Sequence, residues 1–273
     1  MIIQHNMTAM NTNRQLGITN GNLAKSSEKL SSGYAVNRAG DNAAGLSISE
    51  KMRGQIRGLE QASTNAQDGI SLIQTAEGAL NEIHAILQRQ RELTVQAAND
   101  TNVEADRDAI KSELDQLSEE ITRIATQTEF NTMHLLDETG GDGGVFTFQV
   151  GANEEQSIQV TITAMDAGTL GVDDVGVDDY ATATASITTV NDALEAVSKQ
   201  RSDLGAVQNR LEHTIANADN TAENLQAAES RIRDIDMAEE MVKYSKDSIL
   251  QQAAQSMLAQ ANQANQGVLS LLQ

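Results

Sequence analysis

The feature that most constrains this chain is an apolar pattern with steps of three and four residues, which no proline interrupts. Such spacing is typical of helices that pack along a seam, whereas proline would break or kink them. The absence of proline also removes the slow cis/trans steps of folding. The chain can therefore form very long helices, and we expect it to refold quickly after it has been unfolded.

Three stretches of the N-terminal half carry this pattern. In the first, a leucine recurs every seven residues at Leu16, Leu23 and Leu30. The interleaved positions are polar, at Asn13, Asn20 and Ser27. This half-polar seam predicts a helix that needs neighbours for its stability. A second helix is predicted over 42–98, with a length of roughly 85 Å, and a third over 110–124.

The pattern changes at the glycine-rich stretch GGDGG, residues 140–144. Apolar and polar residues then alternate over 145–150 and 157–163, which predicts a β-hairpin. An acidic, glycine-containing segment over 166–180 lacks the ligand pattern of a calcium loop and is predicted to be a solvated loop. Helical spacing resumes over 190–232. The sequence thus predicts a mainly α-helical protein, an elongated antiparallel helical bundle or coiled coil with a small β-hairpin region.

Composition supports an elongated fold and limits the chemistry. The chain has 3 Phe, 3 Tyr and no Trp, so a thin core of smaller side chains is expected. It has no Cys and hence no disulfide or thiolate metal site. His5, His84, His134 and His213 are scattered without acidic partners at ligand spacing. No catalytic constellation is present, so the sequence predicts neither an enzyme nor a bound metal or cofactor.

Charge is distributed unevenly. The net charge is −20, and residues 100–180 contain 3 basic and 19 acidic side chains. This dense negative field predicts a solvent-facing middle and disfavours nucleic acid as a partner. No apolar run is long enough for a membrane span, and the amino terminus does not have the pattern of a cleaved signal peptide.

Both ends of the chain are nearly free of charge. No charged side chain follows Asp247, and the first thirteen residues have none apart from His5. Such ends can pack against identical copies without the like-charge repulsion that a polymer would multiply. The alternative is that they are disordered tails. Both can hold if the ends are disordered in the monomer and fold on assembly.

Several long segments closely resemble bacterial flagellin. The segments LSSGYAVNRAGDNAAGLSIS at 30–49, GLEQASTNAQDGISLIQTAEGALNEI at 58–83 and RELTVQAANDT at 91–101 resemble its amino-terminal region. The segments VGANEEQSIQV at 150–160, RSDLGAVQNRLEHTI at 201–215 and ILQQAAQSMLAQANQANQGVLSLL at 249–272 resemble its hairpin and carboxy-terminal region. They occur in the family's order and cover most of the chain. The chain resembles a short form with only the terminal core domains.

The resemblance implies an architecture. Residues 1–44 and 229–273 would form an inner tube, residues 45–139 and 186–228 a surrounding helical layer, and residues 140–185 the hairpin and an outermost acidic loop. Polymerisation contacts are expected from apolar residues near both ends: Leu16, Leu23, Leu30, Ile249, Leu258, Val268, Leu269 and Leu272.

The resemblance also implies partners and a location. The chain would be exported unfolded through the flagellar export apparatus with a chaperone, and would polymerise with itself in contact with the filament cap and hook-associated proteins. It would then be a secreted protein of the extracellular flagellum that serves swimming motility. Arg89, Leu93 and Glu113 match positions through which such flagellins are recognised by Toll-like receptor 5. The first two are four residues apart, which places them on one face of a helix.

Two alternatives share part of this pattern. A chemoreceptor signalling hairpin has similar helices, but it would bring a membrane span and a helical tip instead of a β-hairpin. A hook–filament junction protein shares the flagellin ends and competes on fold, although it usually matches the long segments less faithfully. Growth of micrometre-long filaments would distinguish a filament protein from this second alternative.

Overall fold

The computed structural model describes the backbone of residues 6–270 and the side chains of residues 6–263. Long helices dominate it, and the β structure is confined to two small antiparallel sheets. The elements are α1 (Met7–Ser32), α2 (Ala43–Ala97), α3 (Glu104–Gln127), β1 (Glu129–Phe130), β2 (Met133–His134), β3 (Val145–Gln149), β4 (Ser157–Thr161), α4 (Ala167–Leu170), α5 (Tyr180–Arg233) and α6 (Met237–Ser270). The predicted mainly α-helical protein with a small β region is confirmed.

The chain divides into two compact units. The terminal unit consists of residues 1–54 and 224–273, and the central unit consists of residues 55–223. Helices α2 and α5 contribute residues to both units.

The central unit has a continuous apolar core. Its helices contribute side chains mainly at steps of three and four residues. The core residues of α2 that are at most 2% exposed include Leu72, Ile73, Ala76, Leu80, Ile83 and Leu87. Helix α3 adds Leu114 and Ile121, and α5 adds Val197, Leu204 and Leu211. Burying one such side chain stabilises a fold by about 1.5–3 kcal/mol. The central unit therefore has the apolar contacts that an independently stable fold requires.

The predicted β-hairpin is confirmed and packs on this core. Strands β3 and β4 pair antiparallel, with Phe146 opposite Val160 and Phe148 opposite Ile158. Phe146, Ile158 and Val160 are buried, while the alternate residues are more exposed. The Phe148 ring lies so close to Gly69 of α2 that an added Cβ would be 3.2 Å from it.

A second contact fixes the turn of this hairpin on α2. A Cβ added at Gly58 would lie 2.8 Å from the Cβ of Ala152, so the helix and the turn touch where only glycine fits without a shift. The Asn65 side-chain amide also donates a hydrogen bond to the Gln149 carbonyl at 3.1 Å. The hairpin is therefore held along α2 by one polar contact and two close approaches.

The acidic segment 166–180 differs from the predicted solvated loop. It contains the short helix α4, and Val172, Val175 and Val177 are buried in the core at 4% exposure or less. The Ser118 hydroxyl of α3 donates a 2.6 Å hydrogen bond to the Val172 carbonyl and accepts one from buried Gln90 at 2.9 Å. The aspartates are mainly exposed, but the intervening valines anchor the segment because their burial removes apolar surface from water.

Candidate functional site

In the terminal unit, α1 and α6 form an antiparallel pair. Asn6 donates a side-chain hydrogen bond to the Ala261 carbonyl at 3.1 Å, and Gln251 donates one to Asn20 at 2.8 Å. From Asn6 to Asn20 the residue number increases, while that of the bonded residue decreases from Ala261 to Gln251. The two helices are therefore antiparallel. Helices α1 and α6 thus pack against each other within one molecule.

The seam of α1 is half polar, as predicted. Leu16, Leu23 and Leu30 are half-buried, and Thr19 and Ser26 are buried at 5% and 6% exposure. The buried polar residues of the seam thus lie one position before the predicted Asn20 and Ser27. These two residues and the third predicted one, Asn13, are exposed. A heptad alternates steps of three and four, and the sequence does not say which step comes first.

A backbone junction closes one end of the helix pair. Helix α1 ends at Ser32 and is capped by Gly33, which has a φ of 74° and donates its N–H to the Lys29 carbonyl. The Gly33 carbonyl accepts the Ile235 N–H at 3.1 Å, and the Ala35 N–H is donated to the Arg233 carbonyl at 2.7 Å. Glycine suits this turn because a left-handed φ is strained for other residues.

Side chains reinforce the junction. The Arg233 guanidinium lies 4.6 Å from the centroid of the Tyr34 ring and 3.0 Å from a Glu50 carboxylate oxygen. Nearby, the pKa of Asp41 is lowered because its carboxylate accepts a hydrogen bond from the backbone N–H of Arg38. A weaker hydrogen bond from the Asn37 N–H acts in the same direction. Sequence reasoning did not single out Arg233, since its partners are distant in the chain and no local pattern marks it.

The terminal unit leaves most of its apolar side chains exposed. Val36 is the one buried apolar side chain among its described residues. Large exposed apolar side chains are concentrated on its two paired helices, at Met7, Met10 and Ile18 of α1 and at Met237, Met241, Val242, Ile249, Leu250 and Met257 of α6. Their exposed fractions range from 45% to 69%. Large apolar side chains exposed in this number along two paired helices are a feature of protein interaction surfaces.

Charges cluster near the junction end of the helix pair. Four lysines line a cleft of about 540 Å³ there, together with buried Glu240 and two aspartates: Lys25, Lys29, Lys243, Lys246, Asp41 and Asp247. Further along the pair, α1 has a single charged residue, Arg14, and α6 has none after Asp247. The half of the pair that is distant from the junction therefore combines exposed apolar groups with little charge.

The predicted polymerisation residues have different environments. Ile249 is 67% exposed, whereas Leu258 is half-buried like the three leucines of α1. The side chains of Val268 and Leu269, and all of Leu272, lie outside the described residues. Among the described positions, Ile249 is thus the most available for contact with another molecule.

The three predicted receptor residues do not form one exposed face. Arg89 Nη2 and Nε lie 2.9 Å and 3.0 Å from Glu113 Oε1, and Arg89 Nη1 lies 3.2 Å from Glu92 Oε2. These hydrogen bonds, the one to Glu113 first, raise the pKa of Arg89. Leu93, by contrast, is 2% exposed and belongs to the core. Leu93 lies in the core because a four-residue step turns the helix by about 40°, so only Arg89 and Glu113 of the three are available at the surface for direct contact with a receptor.

The described residues were also compared with what a metal site and a membrane-spanning helix require. Within residues 6–263, no group of three or more His, Asp or Glu side chains is arranged to hold a metal ion. His84, His134 and His213 are separate, and His5 lies outside the described residues. No helix in the described part of the chain is long and apolar enough to cross a membrane.

Comparison with known proteins identifies the family. The bacterial flagellin N-terminal helical region matches residues 3–140, and the bacterial flagellin C-terminal helical region matches residues 187–272. The chain is 57% identical to a flagellin of Halalkalibacterium halodurans and 53% identical to the flagellar filament 33 kDa core protein of Treponema phagedenis, with full coverage of both chains in each case. The crystal structure of Bacillus cereus flagellin is 34% identical, with a TM-score of 0.51, over 61% of this chain and 94% of that one. The chain therefore belongs to the bacterial flagellin family, the structural proteins that polymerise into the flagellar filament for motility.

Proposed function

We propose that this flagellin polymerises through the paired helices α1 and α6, with a second copy of the same chain covering their exposed apolar side chains. One observation carries the proposal: the central unit buries its apolar side chains in its own core, whereas the terminal unit has a polar seam and leaves nine large apolar side chains exposed on α1 and α6. Copies of the same chain would remove this surface from water, and the low charge of the distal half would limit repulsion between them.

In the filament, residues 1–44 and 229–273 would form the inner tube. Residues 45–139 and 186–228 would form the helical layer around it, and residues 140–185 would contribute the hairpin and the acidic segment. The division agrees with the difference in packing, because residues of the proposed inner tube make up most of the terminal unit.

The same features support export of an unfolded chain. A chain without proline or cysteine has no slow proline isomerisation and no disulfide to reduce, and the terminal unit has only a sparse apolar core to open. The proposed route is the flagellar export apparatus, with a chaperone that covers the exposed helices before export. The secreted chain would then meet the filament cap and hook-associated proteins and assemble outside the cell. This role needs no catalysis, and a chelator-sensitive hydrolytic activity of the pure protein would contradict it.

A second role is favoured by the exposed Arg89–Glu113 pair. A forked guanidinium held by a carboxylate on the next helix offers a fixed polar contact, and we propose that Toll-like receptor 5 recognises this surface. Leu93 would contribute indirectly, because it packs α2 against the core beneath this surface. Replacing Arg89 with Ala should weaken receptor activation by monomer while leaving the fold intact. Equal activation by the variant and the parent would contradict this role.

Removal of the ends tests the assembly proposal. A fragment of residues 45–228 retains the apolar core and should remain soluble, helical and cooperative in melting, yet fail to polymerise when seeded. The full-length chain should extend seeds to micrometre-long filaments, which a hook–filament junction protein would not do. Long filaments built by the fragment would contradict the proposal, and electron microscopy distinguishes these outcomes.

A further inference from the structure

Methionine is concentrated on the helix pair of the terminal unit. Met7 and Met10 of α1 are 66% and 63% exposed, and Met237, Met241 and Met257 of α6 are 48%, 50% and 58% exposed. The central unit provides a contrast, since its Met165 is 4% exposed. The most exposed methionines of the described chain therefore lie on the proposed assembly surface.

An exposed thioether reacts with peroxides. The sulfur lone pair attacks one peroxide oxygen, the O–O bond breaks, and a proton transfer completes a sulfoxide and one water molecule. The sulfur is oxidised by two electrons and the peroxide is reduced by the same two. Exposure controls the rate at a given site, and so the five methionines of α1 and α6 should react well before Met165.

The product does not suit an apolar interface. A sulfoxide has a strongly polar S–O bond that must lose its hydration when a second copy covers it, and a buried polar group without a partner is costly. The seam between α1 and α6 buries Thr19 and Ser26 rather than these methionines, so oxidation should leave the monomer's helix pairing largely intact. The effect should fall on contacts between copies.

We propose that Met7, Met10, Met237, Met241 and Met257 are oxidation sites through which peroxides reversibly block polymerisation of the monomer. The inference rests on the proposed role of α1 and α6 in assembly and adds a chemical regulation to it. The reactive class is peroxide, and the reversing activity is that of a methionine sulfoxide reductase.

The test treats full-length monomer with hydrogen peroxide and maps the added oxygen atoms by peptide mass spectrometry. The five sites should be modified first while Met165 is spared. The critical concentration for seeded growth should rise about tenfold or more, and reductase treatment should restore it. A fivefold variant with leucine at these sites, M7L, M10L, M237L, M241L and M257L, keeps similar side-chain volumes. Whatever critical concentration its untreated monomer shows, peroxide treatment should not raise that value. The matched control M133L, at a 37% exposed methionine of the central unit, should stay sensitive.

A parallel treatment of assembled filaments separates the two proposals. If the five methionines oxidise as fast in filaments as in monomers, α1 and α6 are not covered on assembly and the proposed function fails. If filaments protect them but fully oxidised monomer polymerises at the parental concentration, assembly through α1 and α6 stands and the oxidation inference fails. If the fivefold variant does not polymerise for reasons of packing, the reductase arm with the parental chain still decides, because loss of growth without recovery on reduction overturns reversibility.

Discussion

Replacement of Ile249 with Ser should weaken filament growth more than it weakens the monomer. Full burial of an isoleucine side chain stabilises by about 1.5–3 kcal/mol. Because Ile249 is 67% exposed, about 1–2 kcal/mol of this remains available for contact between copies. That amount corresponds to an increase of about 5- to 30-fold in the critical concentration. Serine and isoleucine have similar helix propensities, so the monomer should lose only the contribution of the already buried third of the side chain, about 0.5–1 kcal/mol.

Sedimentation of filaments at a series of protein concentrations gives the critical concentration, and chemical denaturation gives monomer stability. The control Gln252→Ser alters an exposed polar side chain on the same helix and should leave both quantities nearly unchanged. Ile83→Ser should do the opposite of Ile249→Ser, since Ile83 is fully buried and its truncation costs the monomer at least about 2 kcal/mol. The reasoning is refuted if Ile249→Ser polymerises at the parental concentration, or if it destabilises the monomer as much as Ile83→Ser does.

Three further predictions concern the fold. Leu93→Ala should lower the free energy of unfolding of the central unit by about 2–5 kcal/mol because Leu93 is buried, whereas Arg89→Ala should change it little. Equal losses of stability in urea titrations of the two variants would contradict the burial of Leu93. Gly54→Ala should stabilise α2 by up to about 1 kcal/mol, while Gly58→Ala should lose this gain to the clash with Ala152, and thermal melting of the two variants compares them directly. The pKa of Asp41 is lowered in the folded state from 3.8, so its contribution to stability is present above that value and is lost as the pH falls through the folded pKa. Asp41→Asn should therefore reduce the acid sensitivity of helicity, and an unchanged pH profile would argue against this contribution.

The sequence predicts the long helices well, because three- and four-residue steps need no knowledge of distant contacts. Helix α2 was expected over 42–98 and begins at Ala43 and ends at Ala97. Alternation likewise predicted the β-hairpin.

Other features depend on contacts that a local pattern does not encode. Val172, Val175 and Val177 are separated by aspartates and glycine, and their common burial depends on α3 and α5, where Ser118 and Ser186 donate hydrogen bonds to the Val172 and Gly176 carbonyls. The burial of Leu93 depends on distant contacts as well, because helical spacing gives the angle between Arg89 and Leu93 but not which side of the helix faces the core. The junction at Arg233 joins residues about two hundred positions apart, beyond the reach of any motif.

The junction of Gly33, Ala35, Arg233 and Ile235 has a consequence for synthesis. Its hydrogen bonds connect Gly33 and Ala35 with Ile235 and Arg233, so α1 is synthesised about two hundred residues before the part of the chain with which it pairs. Contacts of such sequence separation form slowly, because a long loop must close before they can be made. A prematurely terminated chain would thus contain α1 without α6 and would lack the paired surface. Under the proposed mode of assembly, only a chain that contains both helices would present the surface that a second copy covers.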